Sequence, residues 1–95
     1  MIGKLKLSHI HTWHQNEAIW LQRQLENNVM TWDELVQHPL NVCRVTKDRN
    51  GDLGWVGRNE MFESIENVAF ELEIGEMTKN PILSEIGWHI LKRTA

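Results

Sequence analysis

The sequence predicts an α+β fold with a mainly antiparallel sheet, in the order β-α-α-loop-β-α-β-β. Three observations carry that expectation. Two-residue alternation opens and closes the chain, over residues 4–11 and 88–92. Helical apolar spacing occupies residues 16–28 and 61–72. Strands and helices are mixed without the regular βα alternation of a parallel sheet.

In the first strand, Leu5, Leu7, His9 and His11 fall on one face, with Lys4, Lys6, Ser8 and Ile10 on the other. With the Leu5/Leu7 face turned inward, His9 and His11 end that row where the core meets its rim. Residues 16–28 read as a helix, with Ala18, Leu21 and Leu25 in register and Asn27-Asn28 as its stop. Thr31-Trp32-Asp33-Glu34 is a capping box, in which hydroxyl and carboxylate satisfy orphan amides reciprocally. The helix it starts is short, because Pro39 disfavours helical geometry at His38. A polar loop over 45–51 follows.

Gly51, Gly54 and Gly57 then bracket a short strand over 53–56. Met61, Phe62, Ile65, Val68, Ala69 and Leu72 recur at helical spacing, and Gly75 is the expected stop of that helix. Asn80-Pro81 marks a turn, Ile82-Leu83 a brief extended piece, and residues 88–92 the final strand. Alternation places His89 and Leu91 on the opposite face from Trp88 and Ile90.

A chain of 95 residues supports one core, so residues 1–95 are expected to form a single domain. A net charge of −3 with scattered Lys and Arg gives no electrostatic footprint for nucleic acid. No apolar run approaches the length that spans a bilayer, and the N-terminal stretch has no apolar leader-like region. Cys43 is the lone cysteine, so no internal disulfide can form, and a cytoplasmic protein is the default. Core packing is the expected role of each of the five tryptophans, against a groove lined by Trp13, Trp55 or Trp88. His9-x-His11 puts two imidazoles on one strand face, but CxxC and HExxH spacings are absent, and no metal is expected.

Gly51-Asp52-Leu53-Gly54-Trp55, Arg58-Asn59-Glu60-Met61 and Val68-Ala69-Phe70 resemble the GGDLG(W/Y/F), RGQM and AF motifs of the parvulin-type peptidyl-prolyl cis/trans isomerases. Leu72-Glu73-Ile74-Gly75-Glu76 resembles the family's LxxGE. Ile86-Gly87-Trp88-His89-Ile90-Leu91-Lys92 is similar to its FGYHIIK ending, and Ser8-His9-Ile10 to the SHIL of its first strand. Any one of these motifs is weak. Together, in order and at family spacing, they are strong, and they cover nearly the whole chain.

The resemblance implies a four-stranded antiparallel sheet surrounded by helices, with a cleft where an extended peptide places a proline ring. It implies a monomeric isomerase that needs no cofactor and assists folding of proline-containing segments or unfolded proteins. Carried over by position, His9 and His89 are the family's two histidines and Cys43 its Cys-or-Asp residue. Leu53 and Met61 belong to the proline pocket, with Val56 and Ile65 as further apolar walls and Ser84 at a family threonine position. The departures are Ile65 for a pocket phenylalanine, Asn59 and Glu60 for the glycine and glutamine of RGQM, and His11 for a leucine.

Rotation about an X-Pro amide breaks no bond, so no strong nucleophile is required. His9 and His89 are expected to face each other on neighbouring strands and share a proton, orienting Cys43 and Ser84 toward the substrate carbonyl. The family's use of Asp at the Cys43 position favours an electrostatic role for that residue. Relatives that require phospho-Ser/Thr carry a Lys/Arg cluster after the first strand. Here that segment is Thr12-Trp13-His14-Gln15-Asn16-Glu17, so no phosphate requirement is expected. The competing reading is a catalytically weak or inactive parvulin-like module that binds peptides or a partner, which Ile65, Asn59 and Glu60 favour. A third is a parvulin domain cut from a larger chaperone.

Overall fold

The two alternating stretches that bracket the chain pair with each other in the middle of one sheet. In the computed structural model, which describes residues 3–95, β1 (Lys4–Thr12) and β4 (Gly87–Arg93) are the central strands. β2 (Asp52–Gly57) and β3 (Ile82–Ser84) flank them in the order β2-β1-β4-β3, and every pairing is antiparallel. The connections hold α1 (Gln15–Glu26), α2 (Trp32–Gln37) and α3 (Glu63–Ala69). The loop before β2 adds a 3₁₀ turn at Lys47–Arg49.

Alternation along β1 and β4 gives the sheet two apolar faces. On one, Leu5, Leu7 and Leu91 pack with Ile65, Ala69 and Leu72 from α3 and the turn after it. On the other, Ile10 and Ile90 pack with Leu21 of α1 and Trp32, Leu35 and Val36 of α2. Each fully buried Leu or Ile contributes about 1.5–3 kcal/mol, so these two layers are the main source of stability. Among the described residues no helix is long and apolar enough to cross a membrane.

The helix ends follow their local signals. α1 stops at Asn27, and Asn28 adopts a left-handed conformation at φ 58°. The Thr31–Glu34 capping box forms as expected: the Glu34 amide donates to the Thr31 hydroxyl at 3.2 Å, and the Thr31 amide to the Glu34 carboxylate at 3.0 Å. His38 is extended ahead of Pro39 and ends α2.

The helix expected over 61–72 shortens to α3. Met61 and Phe62 precede it, and Leu72 follows it in a tight turn closed by its amide on the Ala69 carbonyl at 3.2 Å. The apolar stripe outruns the helix because both flanks pack on the same core cluster. Gly75 is not the helix stop. It lies in a later turn, where its amide donates to the Arg93 carbonyl at 2.6 Å.

β2 contains a bulge. Leu7 pairs with Gly54 but Ser8 pairs with Asp52, so Leu53 is the extra residue. Gly54 takes φ 80°, which a side chain would oppose, and the alternation reverses across it. Leu53 and Val56, three residues apart, therefore both pack on the α3 face.

Core packing holds for Trp32, which is buried and donates its indole N–H to the Asn50 carbonyl at 3.0 Å. It fails for Trp13, Trp20 and Trp55, which are exposed. Trp20 lies against the His38 ring, and Trp55 occupies the outward face of the edge strand β2.

Candidate active site

The row Leu5, Leu7, His9, His11 continues past the part of the sheet that α3 covers, so its last two members are imidazoles at the end of the core. Cross-strand register sets His11 directly opposite His89, and His9 opposite Leu91. His9 and His89 are thus diagonal neighbours rather than the facing pair expected, yet their rings do meet. The two Nδ1 atoms lie 3.4 Å apart, with centroids at 5.6 Å and planes within 15°. On His89 the ring of His11 stacks as well, at 4.7 Å and 8°. Three buried histidines therefore form one stack with His89 in contact with both others.

A polar chain runs through two of these rings. Cys43 Sγ lies 3.2 Å from His9 Nε2, and Ser84 Oγ lies 2.6 Å from His89 Nε2. One arrangement of protons satisfies every partner along this chain. The Ser84 hydroxyl donates to the Gly87 carbonyl at 3.4 Å and accepts from the Ile86 amide at 3.2 Å. His89 Nε2–H then donates to Ser84, leaving His89 Nδ1 to accept from His9 Nδ1–H. His9 Nε2 accepts from the Cys43 thiol, whose sulfur accepts in turn from the Thr46 hydroxyl at 3.1 Å. Every member is satisfied with no net charge.

Burial enforces that neutrality. Desolvation holds His9 down at about 4, and desolvation followed by the neighbouring His9 and His11 holds His89 at about 3. His11 is lowered too, chiefly by burial and also by His9, against the Ile86 carbonyl that raises it. Near neutral pH His9 and His89 are uncharged imidazoles. Among the described residues no group of His, Cys, Asp and Glu has the arrangement of a metal site.

Cys43 is placed by a residue that sequence reasoning missed. Buried Asn41 accepts at Oδ1 from the His11 amide at 3.1 Å and from the Cys43 amide at 3.2 Å, while its Nδ2 donates to the Val36 carbonyl at 2.8 Å. The Val42 amide completes the clip on the His11 carbonyl at 2.8 Å. Beyond Ser8 the edge of β1 has no β2 partner, and this loop satisfies it instead.

A cavity of about 390 Å³ opens beside His9 and His89. Of the expected pocket residues, Leu53, Met61 and Ile65 line it. Val56 does not: it shares that face, but it sits opposite Leu5, farther along β1 from His9, and packs into the core. Neither Ser84 nor Cys43 lines the cavity; each touches one of the histidines that do. The structure adds Phe62, Ile86 and Leu91 as apolar walls, and Asn59 and Glu60 at the polar side. The signal for Phe62 was present, since it follows Met61 directly on the apolar stripe.

The turn that carries these residues keeps its shape without glycine. Asn59 holds φ 66°, a conformation Asn tolerates better than most residues. The Gly57 amide donates to the Glu60 carboxylate at 2.8 Å, and the Arg58 guanidinium lies over the Phe70 ring at 4.2 Å, tying the turn to the end of α3.

Comparison with known proteins shows the family of this chain. The profile of the rotamase, or PPIC-type PPIase, domain matches residues 14–95. The chain is 31% identical over 91 residues to foldase protein PrsA 2 of Bacillus cereus, covering 96% of this chain but only 31% of that protein's length. It is 40% identical over 74 residues to peptidyl-prolyl cis-trans isomerase pin1 of Rhizopus delemar, covering 78% of this chain and 47% of that one. NmPin, the parvulin of Nitrosopumilus maritimus, superposes with a TM-score of 0.78 at 32% identity, covering 100% of this chain and 99% of that structure. The profile begins after β1, whereas the structural match spans the whole chain and so includes the strand that carries His9. The chain belongs to the PPIC-type peptidyl-prolyl isomerase family, the parvulins.

Proposed function

We propose that residues 1–95 act as one catalytic unit that accelerates cis/trans rotation about X-Pro bonds in polypeptides. One observation carries this reading: an apolar cavity of pyrrolidine-binding size ends at two buried, neutral, mutually hydrogen-bonded histidines. The uncatalysed barrier of about 18–20 kcal/mol comes from amide resonance, so a catalyst must favour the twisted amide over both planar forms. The proline ring enters among Leu53, Met61, Phe62 and Ile65, away from water, while the carbonyl before it swings past the histidines. A neutral array offers dipoles rather than charge, so it does not clamp the planar ground state. Cys43 and Ser84 fix the tautomers at the two ends of the array. Cys43 acts through its hydrogen bond and not as a nucleophile.

Substrates are proline-containing segments of unfolded or flexible chains, recognised without phosphate. The β1–α1 connection carries no Lys or Arg, and the Glu17 carboxylate caps it by accepting from the His14 amide at 3.1 Å. A dianion there would meet a like charge. The domain acts as a monomer, its Cys43–His9–His89–Ser84 array closed within one fold. A free thiol built into the hydrogen-bonded site suits a reducing compartment, which supports reading the domain as cytoplasmic.

The test is NMR exchange spectroscopy on an Ala-Pro peptide and its phosphoserine-Pro counterpart. Catalysed exchange of the first, lost in His9→Ala and in His89→Ala, is the expected result. Saturable shifts without faster exchange would make the domain a peptide-binding module. Much faster turnover of the phosphopeptide would overturn the phosphate-independent reading.

A further inference from the structure

We propose that His11, which stands where the family usually carries leucine, is a positioning residue for this site: it anchors the β3–β4 turn, and so the Ile86 wall of the proline cavity, while backing the ring of His89. The proposal rests on the isomerase reading for its substrate but on separate contacts for its geometry.

His11 Nε2 lies 2.8 Å from the Ile86 carbonyl. A carbonyl only accepts, so the ring must carry its proton on Nε2. The neighbouring backbone is fitted to that bond. Gly87 takes φ 137°, and a Cβ there would stand 2.8 Å from His11 Nε2 and 2.4 Å from the Thr12 carbonyl. The turn thus rides directly on the imidazole edge. Its next residue outward, Ile86, is nearly half exposed yet lines the cavity, and β3 before it is only three residues long. The Ser84 hydroxyl ties the turn from its other side, through the Ile86 amide and the Gly87 carbonyl, and His11 holds the Ile86 carbonyl.

The same imidazole stacks on His89 through the register pair His11↔His89, and Trp13 meets it in an edge contact at 4.9 Å. Its backbone amide is held by Asn41. A leucine at this position would fill the volume but could neither donate to Ile86 nor present a flat face to His89. His11 therefore links the ring that acts on the substrate to the wall that receives the proline.

Two measurements test this. In the wild-type chain, long-range ¹H–¹⁵N spectra should show His11 as a neutral ring protonated at Nε2 near neutral pH. A ring protonated at Nδ1, or one averaging between tautomers, overturns the proposal without any variant. Kinetics then compare His11→Leu with His11→Gln, whose side-chain amide can reach the same carbonyl. His11→Leu should raise KM for an Ala-Pro peptide about five-fold with a smaller change in kcat, the scale of one lost hydrogen bond in a binding wall. His11→Gln should recover most of that loss. Unchanged kinetics in His11→Leu, or equal losses in both variants, would sink the idea. If the wild-type chain accelerates no exchange, the isomerase reading fails, and the same comparison is made on peptide Kd, where the same ordering is required.

Discussion

The Ile65 amide donates to the Phe62 carbonyl at 3.0 Å in the first turn of α3, and the two side chains line the same cavity. The aromatic ring absent at position 65 is thus supplied one residue after Met61. The two walls differ in burial: Ile65 is 6% exposed and belongs to the core, whereas Phe62 is only half-buried. Phe62→Ala should raise KM for an Ala-Pro peptide by roughly ten-fold, the equivalent of ~1.4 kcal/mol, with a smaller fall in the urea midpoint than Ile65→Ala. Ile65→Ala should cost about 2–5 kcal/mol of stability. Equal effects of the two variants on stability and KM would contradict this division.

Cys43→Ser keeps a hydrogen-bond donor for His9 Nε2 and an acceptor for the Thr46 hydroxyl. Most exchange activity should therefore survive, while Cys43→Ala, which leaves His9 Nε2 unpaired, should lose more. Complete loss in the serine variant would establish chemistry at sulfur instead.

Protonation should unmake the site from the acid side. His9 and His89 bind protons only near 4 and 3 in the folded chain, against 6.5 for an unperturbed histidine. Below about pH 6.5 the unfolded chain takes up protons that the folded chain refuses, so stability is full above that value and falls as the pH drops toward 3. Exchange activity should be flat through neutrality and decline only as the pH nears about 4, where His9 of the folded chain takes up its proton. Urea midpoints collected from about pH 7 down to about pH 4.5 check the sign. A midpoint that does not fall, or falls equally in a His9→Leu/His89→Leu double variant, removes these rings as the cause.

Asn41→Leu should both destabilise the fold and displace Cys43. It strips the His11 and Cys43 amides of their acceptor and the Val36 carbonyl of its donor. One buried unsatisfied group costs about 1–3 kcal/mol, so a loss of several kcal/mol is expected on denaturation. The Cys43 amide should also lose its protection from hydrogen exchange. Asn41→Asp, which retains the acceptor, should be the milder change; a harsher one would contradict the clip.

Much of this architecture was legible because the signals are local. Strand alternation placed Leu5, Leu7, Leu91 and Ile90 on their faces, and the Thr31 capping box and Pro39 bounded α2. Motif order brought His9, His89, Leu53 and Met61 to one cleft. What escaped depends on pairing rather than on spacing. The bulge at Leu53 reverses a period-two pattern and brings Leu53 to the face of Val56, while the β1–β2 register sets Val56 beside Leu5 rather than at the cavity. The stripe from Met61 to Leu72 was read as one helix because flanking turns can bury the same face. Asn41 carries no signal in sequence, since its partners are backbone groups of elements up to 30 residues away. Directly opposed His11 and His89 could not be told from opposed His9 and His89 without the β1–β4 register.

The sheet order has a consequence for assembly. β1 and β4 are the outermost strands in sequence and the innermost in space, and the two histidines that touch are 80 residues apart. Closing that separation is entropically expensive and slows folding. During synthesis β1 is made first and must wait, its β4 edge unpaired, until the final strand is translated. The proposed proline cleft, built across the β1–β4 pair, is therefore among the last features of this domain to form.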